Sequence, residues 1–198
     1  MLSITQYRSN VLGLLASALD SGTWTFSIID AGLIRALQYA CLALPPVEVS
    51  LTCVGSREQD VSGVSDLFDI AQVGWPYDEQ DGVFHPVRWY WVGTTQIYLV
   101  SATPAAGDKL RLRYWKRQTI NGLGGATETT VPDALADALA AGAAGYALLT
   151  RLRQVGEYPA PPKDTMGVYV RLAGEFIGQM VSGFERRGVA NPAWQVGL

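Results

Sequence analysis

The hydrophobic period of the chain changes at a double proline, Pro45-Pro46. Before it, apolar side chains recur every three or four residues, which is the spacing of one helix face. After it, residues 47–53 alternate apolar and polar side chains, as in a half-buried strand. Proline lacks the amide hydrogen that continues a helix, and its ring disfavours helix before it, so the helical segment must end here. The sequence therefore predicts helices joined to a sheet.

Four segments carry the helical period, at residues 4–19, 28–44, 132–155 and 164–187. Thr130 and Asp133 are spaced as a capping pair for the third helix, and Asp164 can cap the fourth. The third helix is rich in Ala and Gly, which lets another helix approach closely. The apolar line predicted for the fourth helix is Tyr169, Ala173, Phe176 or Ile177, Met180 and Phe184.

Strand-like runs follow the first strand at residues 83–92, 95–102 and 109–117. Residues 64–75 are ambiguous, with a possible helical turn at 65–68 and a strand at 70–75. Turn sequences separate the later runs, at Gly93-Thr94 and at residues 104–108. Parallel crossovers need longer connections, so we expect consecutive antiparallel hairpins. The predicted insert is an antiparallel meander or a small sandwich.

The predicted fold class is α+β, with a four-helix body of two N-terminal and two C-terminal helices around an inserted β subdomain. Residues 1–45 are predicted to form the N-terminal helical hairpin, and residues 46–118 the β subdomain. Residues 119–187 supply a loop and the C-terminal helical pair, and the glycine-rich loop at 119–130 is predicted to be mobile. Residues 188–198 show no period and are predicted to be an extended tail.

The composition, 48% hydrophobic and 17% charged, is that of a folded chain. A net charge of -3 argues against a protein whose whole surface grips nucleic acid. Cys41 and Cys53 with one histidine cannot form a disulfide framework or a four-ligand zinc site, so we expect two buried free thiols and no metal or cofactor. We also expect no secretion signal and no membrane span, because the longest apolar stretch, 138–149, is short.

Catalytic motifs are not visible in the sequence. His85 lies in Phe84-His85-Pro86 without a nucleophile signature around it. The glycines of residues 122–125 lack the lysine and the helix start of a phosphate-binding loop. The sequence therefore predicts that the protein is not an enzyme.

Charge is distributed unevenly within the β region. Residues 56–82 carry seven acids against one arginine, and residues 108–117 carry five cations against one acid. The period of two places Lys109, Arg111 and Arg113 on one strand face. This face is either solvated or paired with acids across strands, or it docks on the acidic segment of a neighbouring subunit. The acidic candidates for that contact are Asp66, Asp69, Asp78, Glu79 and Asp81.

Aromatic side chains concentrate in the same region, and most are expected in the core. Trp89 and Trp91 share one strand face, and Tyr90 lies on the other. With Trp115 and the basic strand, they support an alternative function, a nucleic-acid- or carbohydrate-binding β module on a helical scaffold. Trp194, alone in the tail, is typical of a side chain that docks on a partner.

Several segments occur in a characteristic order after the two N-terminal helices and the double proline. They are Trp91-Val92-Gly93-Thr94-Thr95-Gln96-Ile97-Tyr98-Leu99-Val100, then Leu110-Arg111-Leu112-Arg113-Tyr114-Trp115-Lys116-Arg117, then Val131-Pro132-Asp133-Ala134-Leu135 opening an Ala-rich helix. In this order, over most of its length, the chain resembles the head-to-tail adaptor (connector, neck) proteins of tailed bacteriophages.

The resemblance implies a non-enzymatic structural protein of the virion neck, assembled in the host cytoplasm. It implies a homo-oligomeric ring, usually of twelve copies, between the portal protein and a downstream neck or tail protein, with no membrane partner. Double-stranded DNA would pass through the ring without sequence-specific binding, and an acidic chain suits a wall past which DNA slides. The resemblance also makes the fourth helix and the tail candidates for gripping the portal, with Arg186, Arg187 and Trp194 as the docking residues.

Overall fold

A computed structural model describes residues 1–16, 24–77, 83–157 and 163–186, the side chains of residues 163–165 excepted. Within these residues the chain forms four α-helices and two small antiparallel sheets, so the predicted α+β class is confirmed. The described parts of residues 1–44 and 118–198 form one compact unit, the helical unit. Residues 45–117 form a second, the β unit.

The helical unit is organised around one central helix. Its elements are α1 (Ile4–Ala16), α2 (Phe26–Ala43), a 3₁₀ turn (Asp133–Leu135), α3 (Ala136–Gly156) and α4 (Lys163–Glu185). Helix α3 contacts α1, α2 and α4. The predicted line on α4 is confirmed, because Tyr169, Ala173, Phe176, Met180 and Phe184 are all buried.

Glycines bring the helix backbones together around α3. A Cβ atom placed at Gly145 would lie 2.7 Å from Ile177 Cγ1 on α4. On the other side of α3, a Cβ at Gly32 of α2 would overlap the backbone carbonyl oxygen of Ala143. The predicted close approach of a helix to the Ala- and Gly-rich third helix is therefore confirmed.

The predicted capping pair before α3 does not form. The 3₁₀ turn has Pro132 at its N-cap, without a side-chain cap hydrogen bond. Thr130 Oγ1 instead accepts a hydrogen bond from Thr119 N at 2.8 Å and donates to Gln118 Oε1 at 3.1 Å. The prediction was wrong because the threonine hydroxyl serves the preceding loop.

The glycine-rich loop at 119–130 packs against the helical unit, and its predicted mobility stays a prediction. Ile120 and Val131 are fully buried in the core of the helical unit. Asn121 O accepts a hydrogen bond from Ile4 N at 3.0 Å, and Thr129 Oγ1 donates to Leu2 O at 2.7 Å. The positive φ angles at its glycines let the loop turn tightly enough to make these contacts.

Helix α2 is long and apolar enough, by length and composition, to cross a membrane. It is the one helix of the described residues that meets this test. Half of it is buried within the helical unit, where Ile29, Leu33 and Ala36 are fully inaccessible. Its place in the core accounts for its apolar composition.

The β unit contains two three-stranded antiparallel sheets. The strands are β1 (Val47–Val54), β2 (Glu58–Asp60), β3 (Leu67–Gly74), β4 (Trp89–Val92), β5 (Gln96–Leu99) and β6 (Ala106–Lys116). The first sheet has the order β1-β6-β3, and the second has the order β2-β5-β4. Both sheets contribute to one hydrophobic cluster, in which Ile97, Leu99, Leu110 and Leu112 are fully buried.

The predicted hairpin between the last two runs is absent. Strands β5 and β6 lie in different sheets, and β6 pairs with β1 on one side and β3 on the other. Alternation fixes which face of a strand is buried, but it does not name the partner strand. The connection through residues 100–105 is long enough for the chain to change sheets.

Candidate functional site

The sole histidine and the two cysteines are the side chains considered for catalysis or metal binding. His85 is exposed, and its backbone oxygen accepts a hydrogen bond from Trp75 N at 2.9 Å. Within the described ranges, no group of three or more His, Cys, Asp or Glu side chains could hold a metal ion. Cys41 and Cys53 are buried and are not joined in a disulfide, as predicted. Burial raises the pKa of Cys53, and the charge of Asp108 adds to the rise.

The basic row of β6 faces acids and polar groups of its own sheet. Glu48 on β1 is the register partner of Arg113 on β6. Its carboxylate forms ion pairs with both Arg111 and Arg113. Lys109 Nζ donates a hydrogen bond to Thr52 Oγ1 at 2.8 Å. Arg111 and Arg113 are thus paired with an acid across strands, whereas Lys109 is exposed and contacts a hydroxyl group.

Aromatic rings cover the two arginines. Arg111 lies over Tyr77 at 4.9 Å from the ring centroid, and Arg113 lies over Phe84 at 4.3 Å. The hydrogen bond from Arg113 lowers the pKa of Glu48, and the charges of both arginines lower it further. The centre of this face is therefore a network of one carboxylate, two guanidinium groups and two rings.

Of the five acidic residues predicted to contact a neighbouring subunit, the structure describes Asp66 and Asp69. Asp66 pairs with Lys116 Nζ at 3.0 Å and accepts a hydrogen bond from Tyr114 Oη at 2.8 Å. Asp69 Oδ1 accepts a hydrogen bond from Ile70 N at 2.8 Å. Asp78, Glu79 and Asp81 lie outside the described residues. Asp66 thus contributes to the fold of the β unit.

The exposed aromatic of the second sheet is a tyrosine. Trp89 and Trp91 are partly buried, pack against the β cluster and meet edge to face at 5.9 Å. Tyr90 is exposed and stacks on Tyr98. Trp115 is also partly buried. Trp89 and Trp91 therefore mainly serve the core, and the open ring belongs to Tyr90.

Helix α4 carries glycines that the packing of the described chain does not require. At Gly167, Gly174 and Gly178, an added Cβ would meet no atom of the described residues within 4 Å. A glycine inside a helix destabilises it by about 1 kcal/mol relative to alanine. These positions contrast with Gly142 and Gly145, where the α3–α4 contact excludes a side chain.

Two cavities border the last turns of α4. One, of about 290 Å³, is lined by residues of α3 and α4, including Asp137, Gln179 and Arg186. The other, of about 530 Å³, is lined on α4 by residues that include Gly178, Ser182 and Arg186. Arg186, one of the predicted docking residues, is exposed and borders both cavities. Arg187 and Trp194 lie outside the described residues.

The open face formed by the glycines of α4 was not predicted from the sequence, although the spacing of these residues indicates it. Gly174, Gly178 and Ser182 are four residues apart, and this spacing places small residues on one helix face. A scan of the chain against protein-family models finds no match, and a search of curated proteins finds no similar sequence. The functional conclusion therefore rests on the physical chemistry of these surfaces and on the resemblance of the sequence that was described above.

Proposed function

We propose that the protein is a structural adaptor at the head-to-tail interface of tailed bacteriophage virions. Twelve copies form a ring between the portal protein and a downstream neck or tail protein, and double-stranded DNA passes through the ring. Each copy contributes a four-helix body, an inserted β subdomain and a C-terminal tail. The order of helices, double proline, β insert and Ala-rich helix supports this proposal, since the adaptor family has the same order.

The observation that carries the proposal is the outer face of α4, defined by Gly174, Gly178, Ser182 and Arg186. Its glycines meet open space within the described chain, and a cavity of about 530 Å³ borders it. Glycine permits close approach of another backbone, and this is the benefit that offsets its low helix propensity. The face therefore suits a helix or an extended segment of the portal protein.

Arg186 adds an electrostatic element to this face. It follows the last residue of α4, where a cation interacts favourably with the helix dipole. It is exposed, so an acidic group of the portal can reach its guanidinium group. Arg187 and Trp194 follow in the sequence and extend the predicted docking surface.

The charge of the chain suits a DNA channel. Cations that contact phosphates release counterions, which strengthens binding and makes it depend steeply on salt. A net charge of -3 disfavours such contacts over the whole surface. We expect weak, salt-sensitive affinity for double-stranded DNA, and a ring lumen lined mainly by cations would contradict this part of the proposal.

Contact between neighbouring subunits through the charged segments stays a prediction. Arg111 and Arg113 share Glu48 within the chain, which reduces the charge that they offer to a neighbour. Lys109 is the exposed cation of the row, so Lys109→Glu tests its contribution most cleanly. We expect slower ring assembly at low salt, because complementary charge mainly raises the rate of association.

The docking proposal is tested by filling the outer face of α4. Gly178→Leu should abolish complex formation with a candidate portal protein, measured by light scattering and negative-stain imaging. Gly13→Leu in α1 is the matched control, because Gly13 also meets open space among the described residues. Circular dichroism should show both variants folded. Equal loss in both variants, or full binding by Gly178→Leu, would contradict docking through α4.

A further inference from the structure

A pair of stacked tyrosines lies on the second sheet of the β unit. Tyr90 and Tyr98 are register partners on β4 and β5, with ring centroids 5.0 Å apart and ring planes inclined by 24°. Their neighbours on β5, Ile97 and Leu99, are fully buried. Side chains alternate between the two faces of a strand, so the tyrosines stand on the face of this sheet opposite the β core.

Tyr90 has one ring face against Tyr98, and its strand is at the edge of the sheet β2-β5-β4. Its side of the pair is therefore not covered by a further strand of that sheet, and the residue is 51% exposed. Val100, 44% exposed, follows directly after β5 and extends the apolar surface beyond the strand. A flat ring held by a second ring in this way is a rigid platform with low conformational entropy to lose on binding.

Polar groups of both kinds stand beside the pair. Arg57 Nε donates to Thr103 Oγ1 at 2.9 Å, and Arg57 Nη1 lies 3.4 Å from Tyr98 Oη. Glu58 is the register partner of Tyr98 on β2 and is exposed. The platform thus has a guanidinium donor held near the phenol and a carboxylate acceptor in the adjacent strand.

We propose that the Tyr90–Tyr98 platform binds an uncharged carbohydrate. The C–H groups on one face of a sugar ring match the negative face of an aromatic ring. Sugar hydroxyls both donate and accept hydrogen bonds, which suits a site offering Arg57 and Glu58 together. This site lies in the β unit and does not depend on the adaptor proposal.

Single-stranded nucleic acid is disfavoured at the same platform. Bases also stack on tyrosine, but each nucleotide brings a phosphate. Glu58 and Asp60 both lie on β2, next to the strand that carries Tyr98, and both are exposed. Their carboxylates offset the positive charge of Arg57, which alone would attract a phosphate chain, and a neutral sugar gains acceptors from them.

The test titrates the full-length protein with cellotetraose, chitotetraose and maltotetraose, using isothermal calorimetry and saturation-transfer NMR. We expect saturable binding to at least one of them, with Kd between about 0.1 and 10 mM, as suits a single stacking site. Tyr90→Ala should weaken binding at least tenfold, while Tyr90→Trp, which keeps a flat ring, should retain it. Val54→Ala, which truncates an exposed valine of β1 in the other sheet, is the matched control and should bind like the wild type.

Several results would overturn the proposal. They are an absence of saturable binding to all three sugars, binding that Tyr90→Ala leaves unchanged, and loss of binding in Tyr90→Trp with the variant folded. Tighter Tyr90-dependent binding of a single-stranded oligothymidylate than of any sugar would also overturn it and would assign the platform to nucleic acid. The adaptor proposal would stand in each case, because it rests on α4.

Discussion

The central helix of the helical unit and the central strand of the β unit contact the groups around them in opposite ways. In the helical unit, α3 meets its neighbours through missing side chains, at Gly32 of α2 and at Gly142 and Gly145 of α3 itself. In the β unit, the central strand β6 is covered by added groups: Glu48, the Tyr77 ring at Arg111 and the Phe84 ring at Arg113. Close-packed backbones tolerate no extra volume, whereas a partly exposed ionic network tolerates loss of a member at modest cost.

The largest expected effect is at the α2–α3 contact. Gly32→Ala places a methyl group on the backbone oxygen of Ala143, which cannot move without shifting α3. We expect the free energy of unfolding to fall by about 3 kcal/mol, the upper part of the range for overpacking. Urea unfolding followed by circular dichroism at 222 nm, which reports the helices, measures it.

Gly13→Ala is the control for helix propensity. It makes the same chemical change in α1, where the described chain leaves the Cβ open space. It should raise the stability by up to about 1 kcal/mol. Similar stability of the two alanine variants would show that the α2–α3 contact can relax, and the contrast between the units would fail.

The ionic network of the β unit should give an intermediate effect. Glu48→Gln removes the carboxylate shared by Arg111 and Arg113, whose side chains are 22% and 37% exposed. We expect a loss of about 1 kcal/mol, because partial exposure screens the pair while the network shares it. Tryptophan fluorescence follows it, since Trp75, Trp89, Trp91 and Trp115 lie in the β unit. A loss as large as that of Gly32→Ala would contradict the comparison.

Acid should weaken the same network. Hydrogen bonding from Arg113 lowers the pKa of Glu48, and for Asp66 the bonds from Lys116 and Tyr114 outweigh a burial effect that raises its pKa. A carboxyl with a depressed pKa in the folded state stabilises the fold above its unfolded value, about 4. That stability is lost as pH falls through the folded value. Unfolding at about pH 6 and pH 3 should show a smaller decrease in a Glu48→Gln/Asp66→Asn variant than in the wild type.

Two tyrosine hydroxyls give the most selective contrast. Tyr114→Phe should cost about 1 kcal/mol, because Tyr114 Oη donates to Asp66 at 2.8 Å. Tyr7→Phe should be neutral or slightly stabilising, because Tyr7 Oη is buried without a hydrogen-bond partner among the described residues. Denaturant midpoints of the two variants check this, and a larger loss in Tyr7→Phe would contradict it.

The same hydroxyls predict sensitivity to alkali. Burial raises the pKa of Tyr7 to about 12, with a further contribution from Asp133. Burial also raises the pKa of Tyr114 to about 12, aided by its hydrogen bond to Asp66. The stability that they contribute is present below about pH 10 and is lost as pH rises toward 12. Tyr7→Phe should reduce that loss in unfolding measurements at about pH 9 and pH 11.

The hydrophobic period of the sequence predicted the helices and strands better than it predicted which elements contact one another. The line from Tyr169 to Phe184 on α4 was readable because one helix face repeats every three to four residues. The pairing of β6 with β1 and β3 was not, since alternating strands are interchangeable until the core selects their neighbours. The packing of the loop before Val131 was not readable either, because it involves hydrogen bonds to α1 and its flanking residues, more than a hundred positions away in sequence.

The candidate surfaces also combine residues that the local sequence indicated with residues whose role depends on long-range packing. Arg186 was identified from its place near a helix end, and the charges of β6 from their alternation. The role of Glu48 needed the register between β1 and β6, and the open side of Gly178 needed the packing of α4. The exposure of Tyr90 also depended on β4 lying at the edge of its sheet.

The adaptor proposal is tested most directly by the native mass of the purified full-length chain, alone and after mixing with a candidate portal protein. We expect a monomer or small oligomer alone, and about twelve copies per portal ring after mixing, visible as a ring by imaging. A chain that stays monomeric and separate from every candidate portal protein would contradict it.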